Sequence, residues 1–167
     1  MAESNFTIRP FSVGNASQDA EAFARLNQRW IEEYFGLEDE DRRVLEAPEE
    51  TILAPGGYIA VAEQDGAIIG TGALMVAHAN TDGGRVVELV KMATDPSAQG
   101  TGVGGAILDH LIGHARSLGA DLIWLETNDK LGAATRLYAR KGFRPLEEGE
   151  LLPTPYSRCN LQMVLKL

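Results

Sequence analysis

The chain has 167 residues, with 15 lysines and arginines against 24 aspartates and glutamates, and a formal net charge of −9. Apolar residues make up 44% and charged residues 23%, the proportions of a globular domain, which exclude a disordered, collagenous or coiled-coil chain. One domain over residues 1–167 is expected at this length. No apolar run reaches the roughly 18 residues of a membrane span, and the opening MAESNFTIRPF has neither a basic start nor an apolar secretion core, so a cytoplasmic protein without membrane contact is expected. The single cysteine, Cys159, and the scattered His78, His110 and His114 complete no disulfide or zinc pattern, and no metal is expected. Negative charge opposes phosphate backbones and no basic patch exceeds Arg140-Lys141, which sets nucleic acid aside as a partner. The same field attracts cationic substrates such as amines, or serves solubility alone.

Residues 6–11 alternate around Phe6 and Ile8 before Pro10, the pattern of a short edge strand. Ser17 or Asp19 then caps a helix whose apolar face is Phe23, Leu26, Trp30, Ile31 and Tyr34. A second short helix follows Gly36, with Glu38, Asp39 and Glu40 in its first turn, and Pro48 is expected to end it. Strands are predicted at 58–63 and 67–77 around an Asp65-Gly66 turn. A polar loop at 78–84 and a strand at 86–94, closed by Asp95-Pro96, come next.

A glycine cluster at 100–105 opens a helix with Val103, Ile107, Leu108, Leu111, Ile112, Ala115 and Leu118 on its buried side, ended by Gly119. The apolar run 122–125 is typical of a central parallel strand. A helix at 131–140 ended by Gly142 and strands at 143–146 and 160–167 complete the order β-α-α-β-β-β-α-β-α-β-β, a single α/β domain on a mixed sheet.

The stretch Gln99-Gly100-Thr101-Gly102-Val103-Gly104-Gly105 places four glycines where a loop becomes a helix. Backbone amides there can approach an anion closely and the helix dipole adds attraction; the alternative is a turn that only packs the helix on a strand. A P-loop requires Gly-Lys-Ser/Thr, and Gly104-Gly105-Ala106 stands there instead, which removes nucleotide triphosphate hydrolysis. A dinucleotide fingerprint is formally met by Gly100, Gly102 and Gly105 with Glu126 as the ribose acid, although residues 95–99 separate the glycines from their strand.

A third reading is coenzyme A. Gln99-x-x-Gly102-x-Gly104, after a strand and opening a helix, resembles the signature of the GNAT superfamily of acyl-CoA-dependent N-acyltransferases, and Leu137-Tyr138-Ala139-Arg140-Lys141-Gly142-Phe143 resembles the superfamily's tyrosine helix followed by Gly-Phe. The resemblance covers residues 57–146 best. It implies that the amides of Gln99, Gly100, Thr101, Gly102, Val103, Gly104 and Gly105 hold the CoA pyrophosphate. It also implies that Met92 and Thr94 bond the pantetheine arm in β fashion, with the Met92 amide polarising the thioester carbonyl. Where many relatives carry asparagine, seven residues before the tyrosine, this chain has Leu131, and Asn128 is the substitute contact to the cofactor.

Acyl transfer to an amine needs the amine neutral and the leaving thiolate protonated. Tyr138 fits the second task as a general acid, or else packs its ring in the core. Glu88, eleven positions before Gln99, resembles the catalytic glutamate of the superfamily's histone-acetylating members; it is the base, raised by burial, or an outward surface residue. Trp30, Tyr34 and Phe35 correspond to the acceptor wall, aromatic faces suited to cationic amines, or to core. Arg158 meets a carboxylate on the acceptor bidentately, or is an exposed charge. The expected function is transfer of acetyl from acetyl-CoA to a primary amine of a small molecule or peptide. The rival is a catalytically silent acyl-CoA-binding or partner-binding module, and a homodimer is an open expectation because relatives commonly pair.

Overall fold

The computed structural model describes residues 5–14, 17–77 and 85–167; the loop expected at 78–84 lies outside them. Seven strands form one mixed sheet in the order β1-β2-β3-β4-β5-β7-β6. Strands β1 (Thr7–Pro10), β2 (Tyr58–Gln64), β3 (Ala67–Val76) and β4 (Val86–Thr94) make an antiparallel meander with β1 at the edge. Strand β5 (Leu122–Thr127) runs parallel to β4, and β7 (Leu161–Lys166) returns antiparallel beside β5. The β2–β3 hairpin turns through Asp65 (φ 52°) and Gly66 (φ 80°), both in the left-handed region that a two-residue turn of this kind demands.

Helices α1 (Gln18–Tyr34) and α2 (Asp39–Glu46) cover one face, and α3 (Val103–Ser117) and α4 (Gly132–Arg140) the other. Ser17 caps α1 by accepting from the Asp19 amide, and Phe23, Leu26 and Ile31 bury its apolar stripe with Ile59, Val61 and Ala73 of the sheet. Across the sheet, Ile107, Leu108 and Leu111 of α3 pack on Leu74, Leu89 and Ile123. The approach is close: a Cβ on Gly72 would lie 2.6 Å from Met92 Sδ and 2.8 Å from Ile107 Cγ2, so only glycine fits under the helix.

Helix α2 ends at Glu46 with Ala47 as its C-cap, immediately before Pro48 as expected, and Pro48 then leads into a separate π-helical turn, Glu49–Leu53. One expectation is corrected. The strand expected at 143–146 shrinks to β6 (Arg144–Pro145). The Phe143 amide is already donated to Tyr138 O at the end of α4, and Pro145 has none to give.

Candidate active site

The site begins where two parallel strands part. Strand β4 pairs with β5 from Val86↔Leu122 to Leu89↔Leu125. Beyond that point β4 stays with β3 as far as Thr94 and β5 stays with β7 as far as Thr127. The β5-facing backbone of residues 90–94 is thereby left without a strand partner, and a cavity of about 660 Å³ occupies the fork. It collects Met92 and Thr94 from β4, Glu88 deeper on the same strand, Tyr138 from α4, Trp30, Tyr34 and Phe35 from the end of α1, and Arg158 from the segment before β7.

A β-bulge shapes the β4 wall. The β3–β4 register shifts between Thr71 and Ala73, and Lys91 sits at φ 54°, a conformation costly for any residue with a Cβ. Before the bulge Val87 and Leu89 face α3, and after it Met92 packs toward that same core while Val90 faces α1. The carbonyl of Lys91 accepts from Thr71 Oγ1 (3.3 Å), which accepts from Asn27 Nδ2 (3.2 Å). Asn27 Oδ1 in turn accepts the Trp30 indole N–H (3.0 Å), so one buried chain of hydrogen bonds ties the bulge to the aromatic wall.

The glycine turn has the geometry of an anion cradle. A 3₁₀ turn (Pro96–Ala98) leads into Gly100 (φ 79°) and Gly102 (φ 90°), the left-handed N-cap of α3. A Cβ on Gly102 would meet nothing within 4 Å; its backbone, rather than crowding, calls for glycine. The first amides of α3 have no partner within the helix and point out of its N-terminus. This donor set fits a pyrophosphate. Gln99, Gly100, Gly102, Val103, Gly104 and Gly105 line the cavity; Thr101 does not, and its hydroxyl donates to Ala98 O. Asn128 lines the cavity too, but its side chain is engaged in the fold: Nδ2 donates to Arg158 O (2.7 Å) and Oδ1 accepts from the Lys130 amide (2.8 Å).

Glu88 is not a surface residue. It is 8% exposed, and burial, with the neighbouring Glu126 charge next in weight, pushes its carboxyl up to about 8. Tyr138 lines the same cavity, its ring tilted against Phe143 at a centroid distance of 5.8 Å, and burial raises its phenol to about 12.

The end of the cavity beside α1 holds a cluster that sequence reasoning missed. Asp41, 0% exposed, accepts Lys91 Nζ (2.7 Å) on Oδ1 and both terminal nitrogens of Arg158 (2.6 and 2.7 Å). Burial works against ionisation of Asp41, but the Arg158 fork and the Lys91 ammonium outweigh it and hold the carboxyl near 2. Arg158 thus turns its fork to a carboxylate of its own chain. Its guanidinium also stacks over Tyr156 (4.4 Å), Trp30 (5.8 Å) and Phe35 (5.9 Å), and Lys130 lies over Phe35 (5.4 Å). The aromatic wall is therefore already faced by cations. Tyr34, 44% exposed, stands at the rim. One signal in the sequence pointed here: Lys91 and Met92 break the period of two that runs from Val87, the mark of a bulge. The pairing of residues 41, 91 and 158 left none.

Residues 23–143 match the Acetyltransferase (GNAT) family, and the chain belongs to that family. It is 33% identical over 143 residues to a mycothiol acetyltransferase of Thermobispora bispora, covering 81% of this chain and 45% of that one. The chain thus spans about half the length of the curated relatives it matches. A GNAT-family acetyltransferase structure from Staphylococcus aureus superposes with a TM-score of 0.80 at 23% identity, covering 96% of this chain and 99% of that chain. An N-acetylglutamate synthase from Neisseria gonorrhoeae, complexed with coenzyme A and N-acetyl-glutamate, superposes with a TM-score of 0.69 at 24% identity over 99% of this chain and 36% of that chain.

Proposed function

We propose that this chain transfers an acetyl group from acetyl-CoA directly to a primary amine of a small molecule or peptide. The observation that carries this reading is the placement of a carboxyl raised to about 8 (Glu88) and a buried phenol (Tyr138) in one cavity that also opens onto a glycine-capped helix N-terminus.

In this reading the amides from Gly102 to Gly105 hold the pyrophosphate, while those of Gln99 and Thr101 are donated within the turn, to Pro96 O (3.4 Å) and Ala98 O (3.3 Å). The β5-facing β4 backbone at Met92 and Thr94 receives the pantetheine arm as a strand would, with the Met92 amide aimed at the carbonyl oxygen. Asn128 supports the arm from the β5 side. Bound acetyl-CoA supplies an activated acyl thioester. Glu88 accepts the proton of the acceptor amine, directly or through water, and a base poised near working pH is the efficient one. Tyr138 Oη donates a proton to the departing thiolate. Trp30, Tyr34, Phe35 and Arg158 shape the acceptor end. The cavity suits an anionic cofactor although the chain is acidic: Lys91, Lys130, Arg140 and Arg158 line it against Glu88 and Glu126.

Incubation with acetyl-CoA and a library of primary amines and short peptides, read by mass spectrometry, tests the reading. One acetyl group should appear on the acceptor and none should remain on the protein. A stable acetyl-protein, or binding of CoA with no acceptor modified across the library, refutes it.

A further inference from the structure

The fork brings a second carboxyl to Glu88. Glu88 stands opposite Trp124 in the parallel register, and the two-residue period of β5 puts Glu126 on the same face as Trp124, nearer the open end. Both glutamates line the cavity, and a carboxylate placed beside a buried carboxyl favours the protonated form of its neighbour. Glu126 is held from the opposite side by Gln162, its register partner on β7, whose Nε2 donates to Glu126 Oε1 (3.3 Å). Gln162 is itself fixed by the Leu152 backbone, donating to its carbonyl (2.7 Å) and accepting from its amide (2.9 Å).

Resting on the N-acetyltransferase reading, we propose that Glu126 is a positioning residue for Glu88: Gln162 holds it on the same face of the β4–β5 fork, and its charge there governs when Glu88 is free to take a proton from the acceptor.

The groups facing Glu88 are Glu126 from β5, Lys91 on its own strand, Glu40 from α2 and Tyr156 from the segment before β7. Burial acts first; Glu126 and Glu40 then favour the protonated form, and Lys91 opposes them. Lys91 is engaged by Asp41 at 2.7 Å, and burial keeps the Tyr156 hydroxyl protonated. Glu126 is therefore the strongest charged influence on the Glu88 proton. Two carboxyls coupled this closely titrate as a pair, and the step in which the pair loses its proton is the step that frees a base.

Glu126→Gln keeps the shape and the hydrogen-bonding reach while removing the charge. Carbon-detected NMR titration of the side-chain carboxyls, on protein without cofactor and with Glu88→Gln to assign the signal, reads the pair without any turnover. The Glu88 midpoint should fall by about one pH unit or more in Glu126→Gln. It should stay near the wild-type value in Glu126→Asp, which keeps the charge and guards against a variant that fails to fold. The acid limb of kcat/KM should move down with the NMR midpoint. An unmoved midpoint in folded Glu126→Gln overturns the proposal. A moved midpoint in a protein that transfers no acyl group upholds the pair and overturns instead the transferase reading it serves.

Discussion

Asp41 and Lys91, fifty positions apart in the chain, form an ion pair of 2.7 Å with both side chains withdrawn from solvent. The pair joins α2 to the bulge of β4, and the Arg158 fork on the same carboxylate joins both to the segment before β7. Two cavity-lining segments and α2 thus converge on one buried carboxylate.

Removing that carboxylate leaves Lys91 buried without its partner and Arg158 with Glu38 alone (3.3 Å). Breaking a buried pair this way costs about 3–5 kcal/mol, so Asp41→Asn should lose stability on that scale in urea unfolding. Lys91→Met should lose less, because Asp41 keeps Arg158. Equal losses would show that the carboxylate is not the common anchor.

The sign of the acid response follows from the same group. Asp41 is held near 2, below the ordinary carboxylate range, so the folded state binds its proton less readily than the unfolded state. Its contribution is full above the ordinary range and is lost as pH falls toward 2. Glu88 has the opposite sign: raised to about 8, it favours the folded state least once pH exceeds that value. Thermal melts should therefore show Glu88→Gln gaining on the wild type as pH rises from 5 to 9. A constant difference would place Glu88 in water rather than in the cavity.

Gly102→Ala isolates backbone strain from crowding, since its Cβ would meet nothing within 4 Å while φ stays at 90°. A non-glycine residue there costs about 1–2 kcal/mol. Calorimetry should show weakened CoA binding if the turn relaxes, and Gly102→Asp should weaken it further by setting an anion before the phosphates. Unchanged affinity in both variants would move the pyrophosphate site elsewhere.

Tyr138→Phe keeps the ring against Phe143 and removes one oxygen. General acid catalysis is worth about 10²- to 10⁴-fold, so kcat should fall in that range while acetyl-CoA affinity and melting temperature change little. A variant that melts lower and turns over at the wild-type rate would make Tyr138 a packing residue.

Local features were legible because local chemistry decides them. The Asp65-Gly66 hairpin, the Ser17 cap and the glycine entry to α3 each depend on a few adjacent residues, and the Gln99–Gly105 and Leu137–Phe143 motifs carried the resemblance to the GNAT family that the match over residues 23–143 shows. Pro48 was legible in the same way, because the residue before a proline is turned away from the helical region and α2 closes at Ala47. Arg158 was visible as a cation but its partner was not, since Asp41 lies 117 positions away and only the folded sheet brings α2 over the bulge. The Glu88–Glu126 pair was hidden for the same reason: two acids on separate strands become neighbours only through the parallel register of β4 and β5.

The most direct measurement is the pH dependence of amine-driven thiol release from acetyl-CoA, compared between wild type and Glu88→Gln with one amine acceptor. The wild-type kcat/KM should rise along an acid limb centred near 8, where Glu88 loses its proton. In Glu88→Gln the rate should be depressed most near neutral pH and should recover toward high pH, where free amine is abundant. Profiles of the same shape and height in the two proteins would contradict the account.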